Sequence, residues 1–467
     1  MRSHLFLAFF LLYFFPGLPC SFSATSITRH GTTWVFDKEY ESGTYLNGDP
    51  WVVGPVTITA ISPLPETGKN GSVLNPSIGR EQGFDNRVSP YNSYIDELNI
   101  GKALPALLEP SSSLISSISN STETTWGQIN TFSVLTILSE PPPSGAFRPA
   151  YIGGDFSHPW KEQDVSYESL ATFDKSKLSN VPILSDLEQQ FSFLWYEQDL
   201  TWTGRYLHTP YQANNGYGKD MAIKTGDAAL SLNLNYTNEQ KSTLLYNFIQ
   251  YGIDIYGIIT MGGLWYDTGG HNVGRFSPLL VAAICLDDPQ MKSAITGSAA
   301  KFSELRQTFY VSQNDIDNAP YYSADGRPRL AYTLDDLGKP DWGETHTDNS
   351  KRDGNNWDSF YRDICGSVLQ APAIAALVMG AREIIGHDAF FDYAQRHLYY
   401  REGFFANPQF YNGYDDGDSY GEGNTTKLAP FKFNETPAFH RDFFLAHEHN
   451  VPSTSPPPSP PSDLLID

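Results

Sequence analysis

Hydrophobic and polar positions change texture along this chain. Between about residues 30 and 150 the apolar residues fall in short β-branched and aromatic runs: Thr32-Thr-Trp-Val-Phe, Trp51-Val-Val-Gly-Pro-Val-Thr-Ile-Thr-Ala-Ile and Phe132-Ser-Val-Leu-Thr-Ile-Leu. Turn formers bound them, at Asn47-Gly48-Asp49-Pro50 and from Pro63 to Gly71, so the region reads as β-rich. Pro141-Pro-Pro-Ser-Gly then makes a stiff connector. From about residue 155 the apolar spacing turns helical. Ser185-Asp-Leu-Glu188 predicts a capping box that opens a helix through Leu194 and Trp195. Thr237-Asn-Glu-Gln240 predicts a second, followed by Leu244, Leu245, Phe248, Ile249 and Ile253 on one helical face. Further helices are expected over roughly 219–234, 274–286, 299–311, 356–382 and 388–400, with Gly-, Asp- and Tyr-rich loops between them.

Helix following helix, with long polar loops between, predicts a mainly α fold. The expected form is an (α/α) barrel, a toroid of antiparallel helix pairs, carrying a β-rich N-terminal region. An irregular helical domain is the alternative that helix counts leave open. No repeat of fixed period is present. The expected organisation is a leader over 1–23, the β-rich region over 24–154, the barrel over 155–450 and a disordered Pro/Ser-rich tail over 451–467.

The leader bears on compartment. Arg2 and His4 precede the apolar run Leu5 to Phe15; Pro16, Gly17 and Pro19 break it, and Cys20, Ser21, Ser23 and Ala24 supply small residues for cleavage. The run is shorter than the about 20 apolar residues that cross a bilayer. The chain is therefore expected to be secreted and to work outside the cell, as a monomer and away from membranes. Five Asn-X-Ser/Thr sequons, at Asn70, Asn120, Asn235, Asn424 and Asn434, agree with export. Of the three cysteines, Cys285 and Cys365 lie beyond the leader, enough for one bridge or two buried thiols. The 31 basic against 53 acidic residues give a net charge of −22, which argues against nucleic-acid binding and requires a local basic pocket for any anionic ligand.

Two clusters carry candidate chemistry. The first is Trp265-Tyr-Asp-Thr-Gly-Gly-His271-Asn272-Val-Gly-Arg275, ahead of an apolar helix. Its paired glycines allow a sharp turn close to a ligand, with His, Asn and Arg at the mouth of a buried helix; the plainer alternative is a helix entry whose polar groups satisfy loop backbone. The second is Asp341-Trp-Gly-Glu344-Thr-His346, then Arg352-Asp-Gly-Asn355-Asn356-Trp357-Asp-Ser-Phe-Tyr361-Arg362. Trp357 and Tyr361 share a helical face, with Arg362 beside it. His, Asn, Tyr and Arg at one rim are what β-elimination on a uronic acid requires. Asn or Arg neutralises the carboxylate, His or Tyr removes the C5 proton, and Tyr returns a proton to the leaving oxygen. Ordinary interior polar packing is the competing explanation. Tyr414-Asp-Asp-Gly-Asp418-Ser-Tyr420-Gly421-Glu-Gly has the texture of a calcium loop, but Tyr420 and Lys427 occupy positions where an EF-hand needs ligands, so it is not an EF-hand and a calcium site of another kind is the minor alternative; no metal is expected, and the Met-poor composition with scattered aromatics gives no sign of a cofactor.

At these residues the chain resembles the secreted polysaccharide lyases of family 38, alginate and glucuronan lyases built on an (α/α) barrel. The resemblance is carried by Gly269-Gly-His-Asn-Val-Gly-Arg275, by Asp341-Trp-Gly-Glu-Thr-His346, by the Trp357–Arg362 segment and by Asn47-Gly-Asp-Pro-Trp-Val-Val-Gly-Pro. Asn355-Asn356 followed by Tyr361 is also similar to the Asn-Asn-His-x-Tyr-Trp signature of family 5 alginate lyases, with Trp357 in place of the His. The resemblance implies metal-independent β-elimination on an anionic polysaccharide. His271, His346, Tyr361, Arg362 and Asn355 are the candidate catalytic residues, with the base open between the two histidines. Asn272, Arg275, Arg352, Asn356, Trp265, Trp357 and Arg205 are the candidate substrate-binding residues. Two rivals stand beside this reading. One is an (α/α)-barrel glycoside hydrolase using paired carboxylates from Asp267, Glu344, Asp358 and Asp363. The other is a non-catalytic carbohydrate-binding protein that stacks sugars on its Trp and Tyr surface.

Overall fold

A computed structural model describes residues 21–88, 90–121, 127–207, 216, 218–297, 301–318, 334, 337–343, 365–402 and 436–447. The N-terminal part is one eight-stranded sheet in the order β5-β7-β8-β3-β2-β4-β6, with β1 added on β2. Its strands are β1 (Phe22–Arg29), β2 (Thr32–Thr44), β3 (Pro50–Val53), β4 (Val56–Ser62), β5 (Ser72–Leu74), β6 (Ala106–Leu108), β7 (Ser112–Ser119) and β8 (Ile129–Leu138). The first two residues of β1 fall within the expected leader. All pairings are antiparallel except β3 with β8. Gly54 and Pro55 split the predicted 51–61 strand into β3 and β4, since proline has no N–H to give to a ladder.

The sheet curls into a half barrel, and both of its faces carry apolar residues. Strand side chains alternate between faces, and β8 shows the result. Phe132 and Val134 enter the large core shared with the helices. Leu135 and Ile137 enter a second core inside the curl, with Trp34, Phe36, Val52, Ile58 and Leu114.

The helices are α1 (Leu184–Phe191), α2 (Lys219–Leu232), α3 (Asn238–Thr260), α4 (Phe276–Cys285), α5 (Pro289–Ala294), α6 (Ser303–Arg306), α7 (Gln313–Asn318), α8 (Gln370–Val378), α9 (Arg382–Ile385), α10 (Asp388–Glu402) and α11 (Ala438–His447). The long α3 opens with the predicted capping box, Thr237 Oγ1 accepting from Gln240 N and Gln240 Oε1 accepting from Thr237 N. It packs on α4, which is buried at every position. The Ser185 capping box does not form: α1 starts at Leu184 with no side-chain cap and stops at Phe191, short of Trp195.

The expected mainly α (α/α) toroid is wrong. Among the described residues 39% are helix and 20% strand, a curled mixed sheet joined to helices. Four of the helices, α5, α6, α7 and α9, have six residues or fewer, too short to form the walls of a toroid. The predicted 299–311 helix yields only α6. Thr308–Tyr310 is instead strand β9, paired antiparallel with β10 (Pro340–Trp342), as suits a β-branched residue followed by two aromatics.

Sheet and helices are joined by a buried ion network. Arg148, fully buried, donates Nε to Asp49 Oδ2 at 2.9 Å, and Nη1 and Nη2 to the Asp254 carboxylate at 3.0 and 2.6 Å. Arg29 of β1 closes on Asp49 at 3.2 Å. Burial pushes the Asp254 carboxyl up to about 6, against the pull of Arg148. Burial works the same way on Asp49, but Arg29 and Arg148 together outweigh it and hold that carboxyl below its usual range. Cys285 and Cys365 are buried free thiols. Among the described residues no helix is long and apolar enough to cross a membrane.

Candidate functional site

The Trp265–Arg275 loop is a built turn. Trp265 is buried and stacks on Phe302, ring centroids 5.5 Å apart and planes 4° from parallel. Asn272 Nδ2 donates to the carbonyls of Leu200 and Tyr266, both at 3.0 Å. Arg275 is buried; it donates Nε and Nη2 to the Glu197 carboxylate at 3.0 and 3.3 Å and Nη1 to the Val273 and His271 carbonyls. Burial pushes the Glu197 carboxyl up, with Arg275 pulling the other way. These three side chains, expected to meet substrate, hold the turn in shape. Asp267, a candidate hydrolase carboxylate, is buried and lies 3.4 Å from Arg306 Nη2.

Two glycines lock this loop to the first turn of α2. Gly218, at φ +40°, sits so close to the loop that a Cβ there would lie 1.7 Å from the Gly270 carbonyl oxygen. Gly274, at φ +96°, would place a Cβ 2.5 Å from the Ala222 backbone nitrogen. No side chain fits either gap, and both backbone conformations favour glycine. The interlock places the start of α2, with Lys219, beside the half-buried His271.

A short 3-10 turn, Trp202–Tyr206, packs against the Gly269–His271 turn. Asp199 organises it from below. That buried carboxylate accepts from Thr201 N at 3.0 Å, from the Thr201 hydroxyl at 2.8 Å, from the Thr203 hydroxyl at 2.5 Å and from Asn92 Nδ2 at 2.9 Å. The outer side of the turn is aromatic and cationic. The Arg205 guanidinium lies 4.9 Å from the Trp202 ring centroid and 4.8 Å from that of Tyr206, and Nη2 donates to the Tyr206 hydroxyl at 2.8 Å. Tyr91, 47% exposed, stands edge-on to Trp202 at 4.9 Å and lies 6.1 Å from Tyr206. Arg80 reaches the rim, donating to the Thr201 hydroxyl at 3.1 Å.

Of the sequence-predicted residues, the structure therefore brings His271 and Arg205 to one face and turns Trp265, Asn272 and Arg275 inward. His346, Arg352, Asn355, Asn356, Trp357, Tyr361 and Arg362 lie outside the described residues, as do the carboxylates Glu344, Asp358 and Asp363 and the Tyr414–Gly423 loop. Sequence reasoning missed Tyr91, Trp202, Tyr206 and Arg80. The Trp202-x-x-Arg205-Tyr206 spacing held a signal for two of these four, Trp202 and Tyr206; Tyr91 and Arg80 arrive from distant parts of the chain. Comparison of the chain with protein-family models, curated proteins and solved structures finds no match.

Proposed function

We propose that this protein is exported, binds a polyuronate such as alginate or glucuronan on the Tyr91–Trp202–Arg205–Tyr206 face, and cleaves it by β-elimination. The observation that carries the reading is Arg205 laid on two aromatic rings beside the His271 turn. The aromatic faces suit the apolar side of a pyranose, and the guanidinium suits its carboxylate. The −22 net charge of the chain does not forbid this, because repulsion is screened beyond about 8 Å at physiological salt. In the reaction a base takes the C5 proton, the electron pair forms a C4–C5 double bond, and the C4–O bond breaks with a proton returned to the leaving oxygen. His271 is the described candidate for the base, and Tyr361 is the expected proton donor.

Hydrolysis has less support among the described residues. Glu197, Asp199 and Asp267 are buried and held by cations or hydrogen-bond donors, whereas hydrolysis needs two carboxyl groups facing one bond. A binding protein without turnover is the second reading, favoured because the face consists of stacking rings and a cation. Incubation with alginate and glucuronan separates the three. A lyase generates an unsaturated product that absorbs in the ultraviolet, a hydrolase generates reducing ends without it, and a binder retains polymer unchanged. Retention of neither polymer and product from neither would overturn the reading.

A further inference from the structure

We infer that Asn235 carries an N-linked glycan, and that Asn70 and Asn120 do not. The inference rests on the export proposed above. It distinguishes sites that the sequon alone treats as equal. Asn235 lies between α2 and α3 and is exposed. Its backbone N–H donates to the Phe173 carbonyl at 2.8 Å, and its side-chain Oδ1 accepts from Lys175 N at 3.2 Å. With backbone and amide oxygen both tied down on one side, Nδ2 is the amide atom left on the solvent side, and no acceptor among the described residues meets it. The next residue is also held, with the Lys175 ammonium 3.7 Å from the Tyr236 ring centroid. A glycan here projects from a fixed point and displaces nothing.

Asn70 is the opposite case. It is half-buried at φ +52°, and its backbone N–H and both polar atoms of its side chain are engaged. Its N–H donates to the Ser119 hydroxyl at 3.0 Å, Oδ1 accepts from Ser119 N at 2.9 Å and Nδ2 donates to the Leu64 carbonyl at 3.1 Å. A sugar on that nitrogen would have to be carried through folding into the junction between the Leu64–Asn70 turn and the end of β7. Asn120 Nδ2 likewise donates inward, to the Gly127 carbonyl at 3.2 Å.

The bond formed joins Asn235 Nδ2 to the anomeric carbon of an oligosaccharide. The bond broken joins that carbon to the pyrophosphate of a lipid-linked donor, and the departing pyrophosphate takes up the displaced amide proton. Asn235 lies past the C-terminal end of α2, whereas the proposed binding face lies at its N-terminal end. The 14 residues of α2 separate the two by about 20 Å at 1.5 Å per residue. The glycan therefore leaves the substrate path open.

The test is peptide mapping of the full chain expressed in a eukaryotic secreting host, deglycosylated by an amidase in ¹⁸O-water so that each occupied Asn becomes a labelled Asp. The expected result is Asn235 labelled in most molecules recovered from the medium, with Asn70 and Asn120 unlabelled. A secreted chain bare at Asn235, or labelled at Asn70 or Asn120, overturns the assignment on geometry. A chain retained in the cell with every sequon bare fails on export and removes the proposal with it. The variant Asn235→Gln should lose the mass of one glycan while keeping any polyuronate turnover of the parent; loss of turnover would contradict the placement away from the binding face.

Discussion

Arg148 and Arg205 show how far surroundings decide what one side chain does. Arg148 sits between the curled sheet and α3, fully buried, its guanidinium shared by Asp49 and Asp254. Arg205 lies on the rings of Trp202 and Tyr206 near the surface, on a turn that a buried aspartate organises from beneath. The first cation is surrounded by charge that would be costly to bury alone. The second lies on two π faces, which attract a cation. The structural arginine and the proposed recognition arginine thus differ in their partners, not in their sequence neighbourhood. Arg275 makes the same point. It follows a His-Asn-Val-Gly run that looks like a ligand loop, yet Glu197 and two carbonyls take up its donors.

The largest effect separating the two regions should come from Arg148→Met. It leaves Asp49 and Asp254 buried without their shared cation, and breaking a buried pair from one side costs about 3–5 kcal/mol. Asp254 is then stranded while Asp49 keeps Arg29, so the loss should fall within that range, read as a lowered urea midpoint. Arg148→Lys should rescue little, because one ammonium cannot reproduce the fork that spans both carboxylates. Arg275→Met comes next. It strands Glu197 alone and should cost about 3 kcal/mol; Arg275→Met combined with Glu197→Leu should recover part of that. If Arg275→Met were fully stable and merely failed to bind polyuronate, Arg275 would belong with Arg205.

Arg205→Ala should cost less stability than either, about 1 kcal/mol, because it removes a half-buried side chain with one hydrogen bond and two ring contacts. It should weaken polyuronate retention by roughly tenfold, the scale of a cation–π contact and a charge-assisted hydrogen bond. Trp202→Ala should weaken retention of neutral and anionic polymers alike, whereas Arg205→Ala should matter for the anionic polymer alone. Equal losses on both polymers for Arg205→Ala would remove the charge-recognition part of the reading.

Much of the local structure was legible in the sequence. The Thr237 box and the apolar spacing after it predicted α3, and the β-branched runs predicted β2, β4 and β8. Two kinds of information were not legible. Helical periodicity says that a face is buried but not against what, so a toroid was inferred where helices pack on the face of a sheet. Partners distant in sequence were also hidden: Glu197 for Arg275, Asp254 for Arg148 and Tyr91 for Trp202. At 299–311 the helix pattern masked Thr308-Phe-Tyr, whose pairing with Pro340–Trp342 is a tertiary contact.

A pH slope tests the junction from within. Asp254 titrates at about 6 in the fold because burial opposes its charge. In the unfolded chain it titrates near the ordinary carboxylate value of about 3.9. Between those values the folded state binds more protons, so Asp254 makes stability fall as pH rises from about 4 to 6 and has no further effect above that. His30 acts in the opposite sense. Burial, assisted by Arg29, lowers its imidazole to about 4 from 6.5. Between those values the unfolded state binds more protons, so stability rises with pH and the His30 contribution is complete above 6.5. The two slopes overlap from about 4 to 6 and largely cancel each other. His30→Gln should uncover the Asp254 slope, a loss on the order of 1–3 kcal/mol as pH rises from 4 to 6. Asp254→Asn lowers stability overall by removing a partner of Arg148, but what remains should rise with pH from about 4 to 6.5. Urea midpoints at half-unit pH steps on the three proteins measure this. A His30→Gln protein whose stability rises from pH 4 to 6 would mean that Arg148 holds Asp254 ionised well below 6, so that charge pairing outweighs burial at the junction.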